Sequence, residues 1–465
     1  MILTGLAVGA VLGIVMQRGR FCVTGMLRDI FLQKSWRTIV ALFIVISVHA
    51  VGIAALTSLG VIAPEYSTFA PVAVVGGGFI FGLGIILAGG CASGTWFRSA
   101  EGLIGSWFAL IFYALSAAAM NTGALTWLNT GLKSYDTSLT TLPATFGVSA
   151  WAFAIPLAIG TALAARHFLA TEKKAATLQN VPFWKRPLHI YTAGALVGLI
   201  GVIAWPLSAA AGRNSGLGIT TPSANLANFT VTGDLGRIDW GVMLVLGLFL
   251  GAFAAAKATG EFRLRVPDAT TATRAVVGGC MMGVGAALAG GCTVGNGMVQ
   301  TALFSYQGWI ALLFIALGVG AGAKLWLKPA AAPAGTPEQT YSTDESIADS
   351  NETPASAEDK VLPATPGFAV ATGAVALKTA PRVTKARPLG RGRYALDQMG
   401  AVCPFPLIET KDVLATLETG EELVIDFDCT QGTETIPQWA AENDHDVTDF
   451  HATGDASWQI TIRKG

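Results

Sequence analysis

Gly82-Leu83-Gly84-Ile85-Ile86-Leu87-Ala88-Gly89-Gly90-Cys91-Ala92-Ser93-Gly94 is written a second time, with small changes, as Gly283-Val284-Gly285-Ala286-Ala287-Leu288-Ala289-Gly290-Gly291-Cys292-Thr293-Val294-Gly295. Each copy is a short apolar, glycine-rich segment that breaks at Gly-Gly and presents a cysteine. Duplicated broken helices in an apolar chain mark the binding site of a membrane transporter. Cys91 and Cys292 are therefore the first candidates for substrate contact.

The surrounding composition agrees. Of 465 residues, 52% are hydrophobic and 13% charged, with mean hydropathy +0.54. Soluble domains carry about 25% charged residues. The formal net charge is zero, which leaves no electrostatic footprint for a nucleic-acid partner. The six cysteines (Cys22, Cys91, Cys280, Cys292, Cys403 and Cys429) show neither metal-type spacing nor a secreted disulfide framework, so no metal and no cofactor is expected. The N-terminus lacks the basic region of a signal peptide and reads as a first mature span.

Hydropathy predicts nine spans, near 1–17, 38–61, 71–90, 103–120, 149–167, 190–209, 240–257, 275–291 and 308–327, each close to the ~20 residues a bilayer requires. Several are short or glycine-rich and predict half-helices. One set of alternating loops holds Arg18, Arg20, Arg28, Lys34 and Arg37, then Arg98, then Lys173, Lys174, Lys185 and Arg186, then Lys257, Arg263, Arg265 and Arg274. The other set holds Lys133, Arg213 and Arg237. The positive-inside rule puts the first set in the cytoplasm of a bacterial inner membrane, with the N-terminus outside and the C-terminus inside. The two Gly-Gly-Cys segments then run in opposite directions, which predicts inverted-topology repeats over about 1–168 and 189–328. Gly19-Arg20-Phe21-Cys22 is weakly echoed by Gly212-Arg213-Asn214-Ser215, so Ser215 stands where the first half has Cys22.

Beyond residue 328 the character changes. Residues 329–387 are rich in Ala, Pro, Thr, Ser, Asp and Glu and read as a flexible tether. As a coil of 59 residues it spans on the order of 40 Å, which lets the following domain reach the membrane mouth without a fixed interface. Residues 388–465 are soluble in character, with the order βαβαββ: strands at Tyr394–Met399, Glu422–Asp428, Val447–His451 and Ser457–Ile462, helices at Leu407–Glu418 and Glu434–Asn443. A small two-layer α+β domain follows. Cys403-Pro404-Phe405-Pro406-Leu407 lies at the turn into its first helix, where the dipole and free N–H groups favour a thiolate.

This C-P-x-P-L motif resembles the TusA-like sulfur-carrier family over about residues 390–465. The resemblance implies that Cys403 carries sulfur as a persulfide; Cys429, after the second strand, either faces and resolves it or is a plain strand-end residue. The membrane part, residues 1–328, resembles the YeeE/YedE family of sulfur-compound transporters through the repeated G-x-G-x-x-L-A-G-G-C pattern and Arg20-Phe21-Cys22, and a fused YeeD-type carrier fits that family. It implies thiosulfate uptake past three cysteines, here Cys22, Cys91 and Cys292.

The residue types suit the task. Thiosulfate is a small dianion, and a buried charge is costly unless hydrogen-bonded. Neutral thiols donate weakly and can hold it without trapping it. Arg20, Ser215 and Asn296 are the further substrate-binding candidates, Arg20 and Arg213 standing at matching mouths. Cys280 matches Phe79 and reads as packing; His49 reads as an interhelical hydrogen bond. The sequence thus predicts a thiosulfate transporter with a tethered sulfur carrier, contacting lipid, thiosulfate and cytoplasmic sulfur-relay or cysteine-biosynthesis proteins. Two alternatives stay open: a membrane-anchored sulfurtransferase, in which the carrier domain processes thiosulfate as an enzyme, and a transporter of another sulfur or selenium oxyanion.

Overall fold

The computed structural model describes residues 2–179, 182, 185–327, 386–401 and 403–465. Among these residues nine helices are long and apolar enough to cross a membrane, with mean hydropathies from 1.2 to 2.7. The first part comprises α1 (Leu3–Arg18), α2 (Val23–Leu32), α3 (Arg37–Ser58), α4 (Pro71–Leu87), α5 (Ala92–Ala100), α6 (Ile104–Asn121), α7 (Thr126–Lys133), α8 (Leu142–Phe146) and α9 (Trp151–Thr171). The second comprises α10 (Ile190–Ala210), α11 (Thr220–Thr232), α12 (Trp240–Thr259), α13 (Ala269–Leu288), a π-helical segment (Gly295–Gln300) and α14 (Tyr306–Trp326).

Local chemistry sets the boundaries. Pro71 opens α4, and the side chains of Asp239 and Asp268 cap α12 and α13 by accepting from backbone N–H groups. The Gly-Gly breaks follow α4 and α13, with Gly89 at φ 71° and Gly290 at φ 75°, in the left-handed region that glycine enters without steric penalty. The long pieces pack across the two halves: α1 against α12, α3 against α10, α4 against α13 and α14, and α6 against α13. Where α4 crosses α13 the chains run antiparallel. A β-carbon on Gly77 would meet the Gly285 carbonyl oxygen at 2.7 Å, and one on Gly84 the Gly278 carbonyl oxygen at 2.9 Å. Backbones this close require small residues, as in other membrane helix pairs.

The C-terminal domain contains β1 (Arg387–Gly390), β2 (Arg393–Gln398), α15 (Phe405–Thr416), β3 (Glu422–Phe427), α16 (Gly432–Glu442), β4 (Asp446–Gly454) and β5 (Ser457–Arg463). Its sheet runs β1-β2-β3-β5-β4, with β2 and β3 parallel and the other neighbours antiparallel. The order ββαβαββ adds one strand to the predicted βαβαββ. Arg387–Gly390 carries no alternation of apolar residues and is exposed along its length, so only its pairing with β2 makes it a strand. Leu396, Ile425, Phe427, Ile436, Phe450 and Trp458 give the domain its own core.

The predicted tether falls on 329–387, of which 329–385 lie outside the described residues. The expectation that the domain works without a fixed interface is corrected. The domain packs with the helices as one compact unit. Ala456 N donates to Gly260 O (2.9 Å), Thr430 Oγ1 to Glu101 Oε2 (3.3 Å), and Gln179 N to Phe450 O (3.0 Å). Loop-terminal polar groups supply this seat.

Candidate functional site

Three thiols stand where helices break. Arg20, at φ 47°, turns the chain after α1, so that Phe21 is buried and Cys22 precedes α2. Cys91 precedes α5, and Cys292 precedes the π-helical segment. Each is at most 3% exposed. Cys22 and Cys91 are neighbours: a β-carbon on Gly94 would lie 3.4 Å from the Cys91 sulfur and 3.7 Å from that of Cys22. Cys91 also meets Ser93 Oγ (3.5 Å) and the side chain of Thr293, the residue after Cys292. Tyr113 ties the other end: its hydroxyl meets Cys292 and donates to Thr220 Oγ1 at 2.9 Å. Cys22 and Cys91 are thus side by side, and Cys292 is connected to them through Thr293 and Tyr113.

Cavities approach these thiols from two sides. One, of about 270 Å³, is lined by Cys292 with Lys133, Arg213, Ser215, Gly291 and Gln300. Another, of about 60 Å³, is lined by Cys22 with Arg20, Arg28, Asp29 and, from the C-terminal domain, Gln431 and Glu434. The remaining sequence candidates divide accordingly. Ser215 lines the same cavity as Cys292. Arg20 is buried, donating from Nη2 to Glu261 Oε1 (2.8 Å), while its Nε and Nη1 have no hydrogen-bond partner. Asn296 differs from expectation. Its amide nitrogen donates to Ala289 O and Gly291 O, both at 2.9 Å, and its oxygen accepts from Gln307 Nε2 at 2.9 Å. Those bonds hold the Gly-Gly-Cys turn and leave no donor for substrate. Cys280 lines none of these cavities.

Sequence reading passed over the polar layer beneath Cys22. Gln17 bridges Glu101 Oε1 (3.2 Å) and Glu261 Oε2 (2.6 Å), and Glu101 is 1% exposed. Burial, and then the neighbouring Glu261 charge, pushes the Glu101 carboxyl up to about 7. Tyr113 and Arg98 were also missed, the first hidden in an apolar span and the second counted only among topology-setting charges. A lone hydroxyl in mid-span and a carboxylate three residues from an arginine were the available signals.

In the C-terminal domain, Cys403 stands at the turn into α15 and Cys429 just past β3, with their sulfurs 2.6 Å apart. The two titrate as one unit. A hydrogen bond from its neighbour holds the Cys429 thiol down at about 6, helped by the Arg98 and Arg265 charges, and the same contact and burial push Cys403 well above the ordinary thiol value. Helix-start reasoning anticipates the lowered thiol on Cys403, whereas the mutual contact lowers Cys429 and raises Cys403. Among the described residues no cluster of His, Cys, Asp and Glu could hold a metal.

Comparison with known proteins follows the same division. Residues 18–321 match the family described as "Sulphur transport" and residues 394–464 that described as "Sulfurtransferase TusA". Over 327 residues, 69% of this chain and 93% of the relative, the chain is 49% identical to the thiosulfate transporter TsuA of Escherichia coli. It is 32% identical to TsuA of Spirochaeta thermophila over 333 residues, 68% of this chain and 97% of that protein. Its last part is 61% identical over 69 residues (15% of this chain, 92% of the relative) to the putative sulfur carrier protein TsuB of Escherichia coli.

Proposed function

We propose, from the premise that this chain belongs to the sulphur-transport family and ends in a TusA sulfurtransferase domain, that it carries thiosulfate inward past Cys292, Cys91 and Cys22 and delivers its sulfur to the Cys403/Cys429 pair. The observation that carries the reading is three buried thiols at helix breaks, with one cavity reaching Cys292 and another reaching Cys22. An anchor for a sulfurtransferase needs no such arrangement. Antiparallel crossing of α4 and α13, which bear the same motif, supports an inverted repeat whose two Gly-Gly-Cys breaks share one centre. The distribution of basic residues supports a carrier domain on the cytoplasmic side of the inner membrane.

In this mechanism Lys133 and Arg213 draw the dianion into the outer cavity. The Cys292, Cys91 and Cys22 thiols act as neutral donors in turn, each hydrogen bond replacing part of the lost hydration. Thiols suit because their bonds are weak enough to release the ion. At the inner end a carrier thiolate attacks the sulfane sulfur. A new S–S bond forms to the protein, the S–S bond of thiosulfate breaks, and sulfite leaves with the electron pair, so charge balances at three negative on both sides. Cys429 or Cys403 then bears a persulfide for cytoplasmic sulfur-relay proteins.

The test is uptake of labelled thiosulfate into proteoliposomes, with sulfate, sulfite and selenite as competitors. Cys91→Ala and Cys292→Ala abolish uptake in folded protein, whereas Cys280→Ala transports normally. Full uptake in either of the first two reduces the thiols to packing. Selenite competing as well as unlabelled thiosulfate assigns the cargo elsewhere.

A further inference from the structure

A third cavity, of about 90 Å³, lies between the Gly89 turn and the carrier's cysteine pair. One water needs only ~10–15 Å³ of such space, so a small oxyanion fits. Its charged lining is Arg98, Arg265 and Arg274 against one carboxylate, Asp428. That balance suits a dianion. Arg98 stands between the two sulfur centres: Nη1 donates to Gly89 O, Nη2 is 4.0 Å from the Cys22 sulfur, and its charge acts on both Cys403 and Cys429. Arg265 is fixed by its backbone, since its N–H donates to Gly102 O at 2.9 Å beside the bridge between Leu103 and Arg265. Its guanidinium is nevertheless unsatisfied. Nε lies 3.8 Å from Asp428 Oδ2, too far for a hydrogen bond, and Nη2 is buried with no partner. Buried donors rarely stay unpaired, so an arginine left with open N–H groups in a cavity calls for an acceptor.

We infer that this cavity is an anion-holding site in which Arg98 and Arg265 bind the sulfonate oxygens of thiosulfate after it leaves Cys22, presenting its sulfane sulfur to the Cys403/Cys429 pair. The proposal rests on the transport reading above and adds a site to it. Guanidinium groups match the oxygens of a sulfonate through paired N–H donors, as they match carboxylate and phosphate. Sulfite, the leaving group of sulfur transfer, has the same oxygens and occupies the same site until released.

The experiment uses the full chain in detergent with both carrier cysteines replaced, Cys403→Ser and Cys429→Ser, so that binding is read without reaction. Thiosulfate is titrated calorimetrically into this protein and into the same protein bearing Arg265→Gln, Arg98→Gln or Arg98→Lys. The site predicts at least tenfold weaker thiosulfate binding with either glutamine and recovery to within about threefold with lysine. Arg265→Gln leaves the Gly89 carbonyl contact untouched and so separates loss of binding from loss of the turn. Equal affinity in Arg265→Gln and its parent overturns the site. Separately, intact-mass analysis of wild-type protein with thiosulfate reads the adduct. Arginine-dependent binding with no adduct sinks sulfur acceptance but keeps the site, and an adduct with arginine-independent binding does the reverse.

Discussion

Adding one methyl group at Gly94 tests the thiol path more sharply than removing a thiol. Its β-carbon would sit 3.4 Å from the Cys91 sulfur and 3.7 Å from the Cys22 sulfur, both ordinary van der Waals distances. The fold therefore accepts Gly94→Ala without displacement. Because Gly94 lies inside α5, alanine favours the helix by about 0.5–1 kcal/mol. The space between the two thiols is what the methyl removes. An anion passing there loses at least one hydrogen bond from a thiol, and a bond to a charged group is worth about 1.5–3 kcal/mol. At 1.36 kcal/mol per tenfold, uptake falls roughly tenfold to a hundredfold. Gly76, inside α4 and away from the thiols' cavities, supplies the control, because its β-carbon would meet nothing within 4 Å. Proteoliposome uptake and thermal melting are measured on both variants. Gly94→Ala should melt no lower than wild type yet transport slowly, while Gly76→Ala should match wild type in transport. Wild-type uptake by folded Gly94→Ala would refute passage between Cys22 and Cys91.

Two further outcomes concern titration. Alkylation of the carrier pair by iodoacetamide should rise with pH around a midpoint near 6, the value to which the Cys403 hydrogen bond holds Cys429. In Cys403→Ala that midpoint climbs toward the ordinary ~8.5, and an unmoved midpoint removes the pair as the cause. Glu101 titrates the other way. With its carboxyl raised from 4.5 to about 7, the folded protein holds a proton there that the unfolded chain has released, so stability falls as pH rises through that window. Glu101→Gln should flatten the melting temperature between pH 5 and 7, and an unchanged slope would mean Glu101 is ionised in the fold.

Much of this was legible in the chain because the signals are local. Apolar runs of sufficient length place the spans, Gly-Gly-Cys places the breaks, and Cys403-Pro404-Phe405-Pro406 places the carrier's helix start. Other features depend on partners distant in sequence. Nothing near Arg265 indicates that its backbone ladders against Gly102, or that Glu101 receives a hydrogen bond from Thr430. Basic residues with two duties, Arg98 above all, were absorbed by the topology rule. Asn296 had the right chemistry for a substrate donor, but its neighbours' carbonyls claim the amide first. The glycine breaks predict half-helices there, but not the extents of α5 and the π-helical segment, since short helices gain their stability from packing rather than from propensity.

The antiparallel contact of α4 and α13 has a consequence for how the protein tolerates change. There the two main chains touch directly, at Gly77 against Gly285 and at Gly84 against Gly278. The separation of the two motif-bearing helices is thus a property of the backbone, with no side chain acting as spacer. Flanking leucines, isoleucines and alanines can drift into one another over long divergence while the spacing of these helices holds. Relatives that share only 49% or 32% of their residues with this chain are free to differ widely around such a centre. At those four glycines the freedom ends, because any β-carbon would meet the facing backbone at 2.8 Å or less and force the two helices apart.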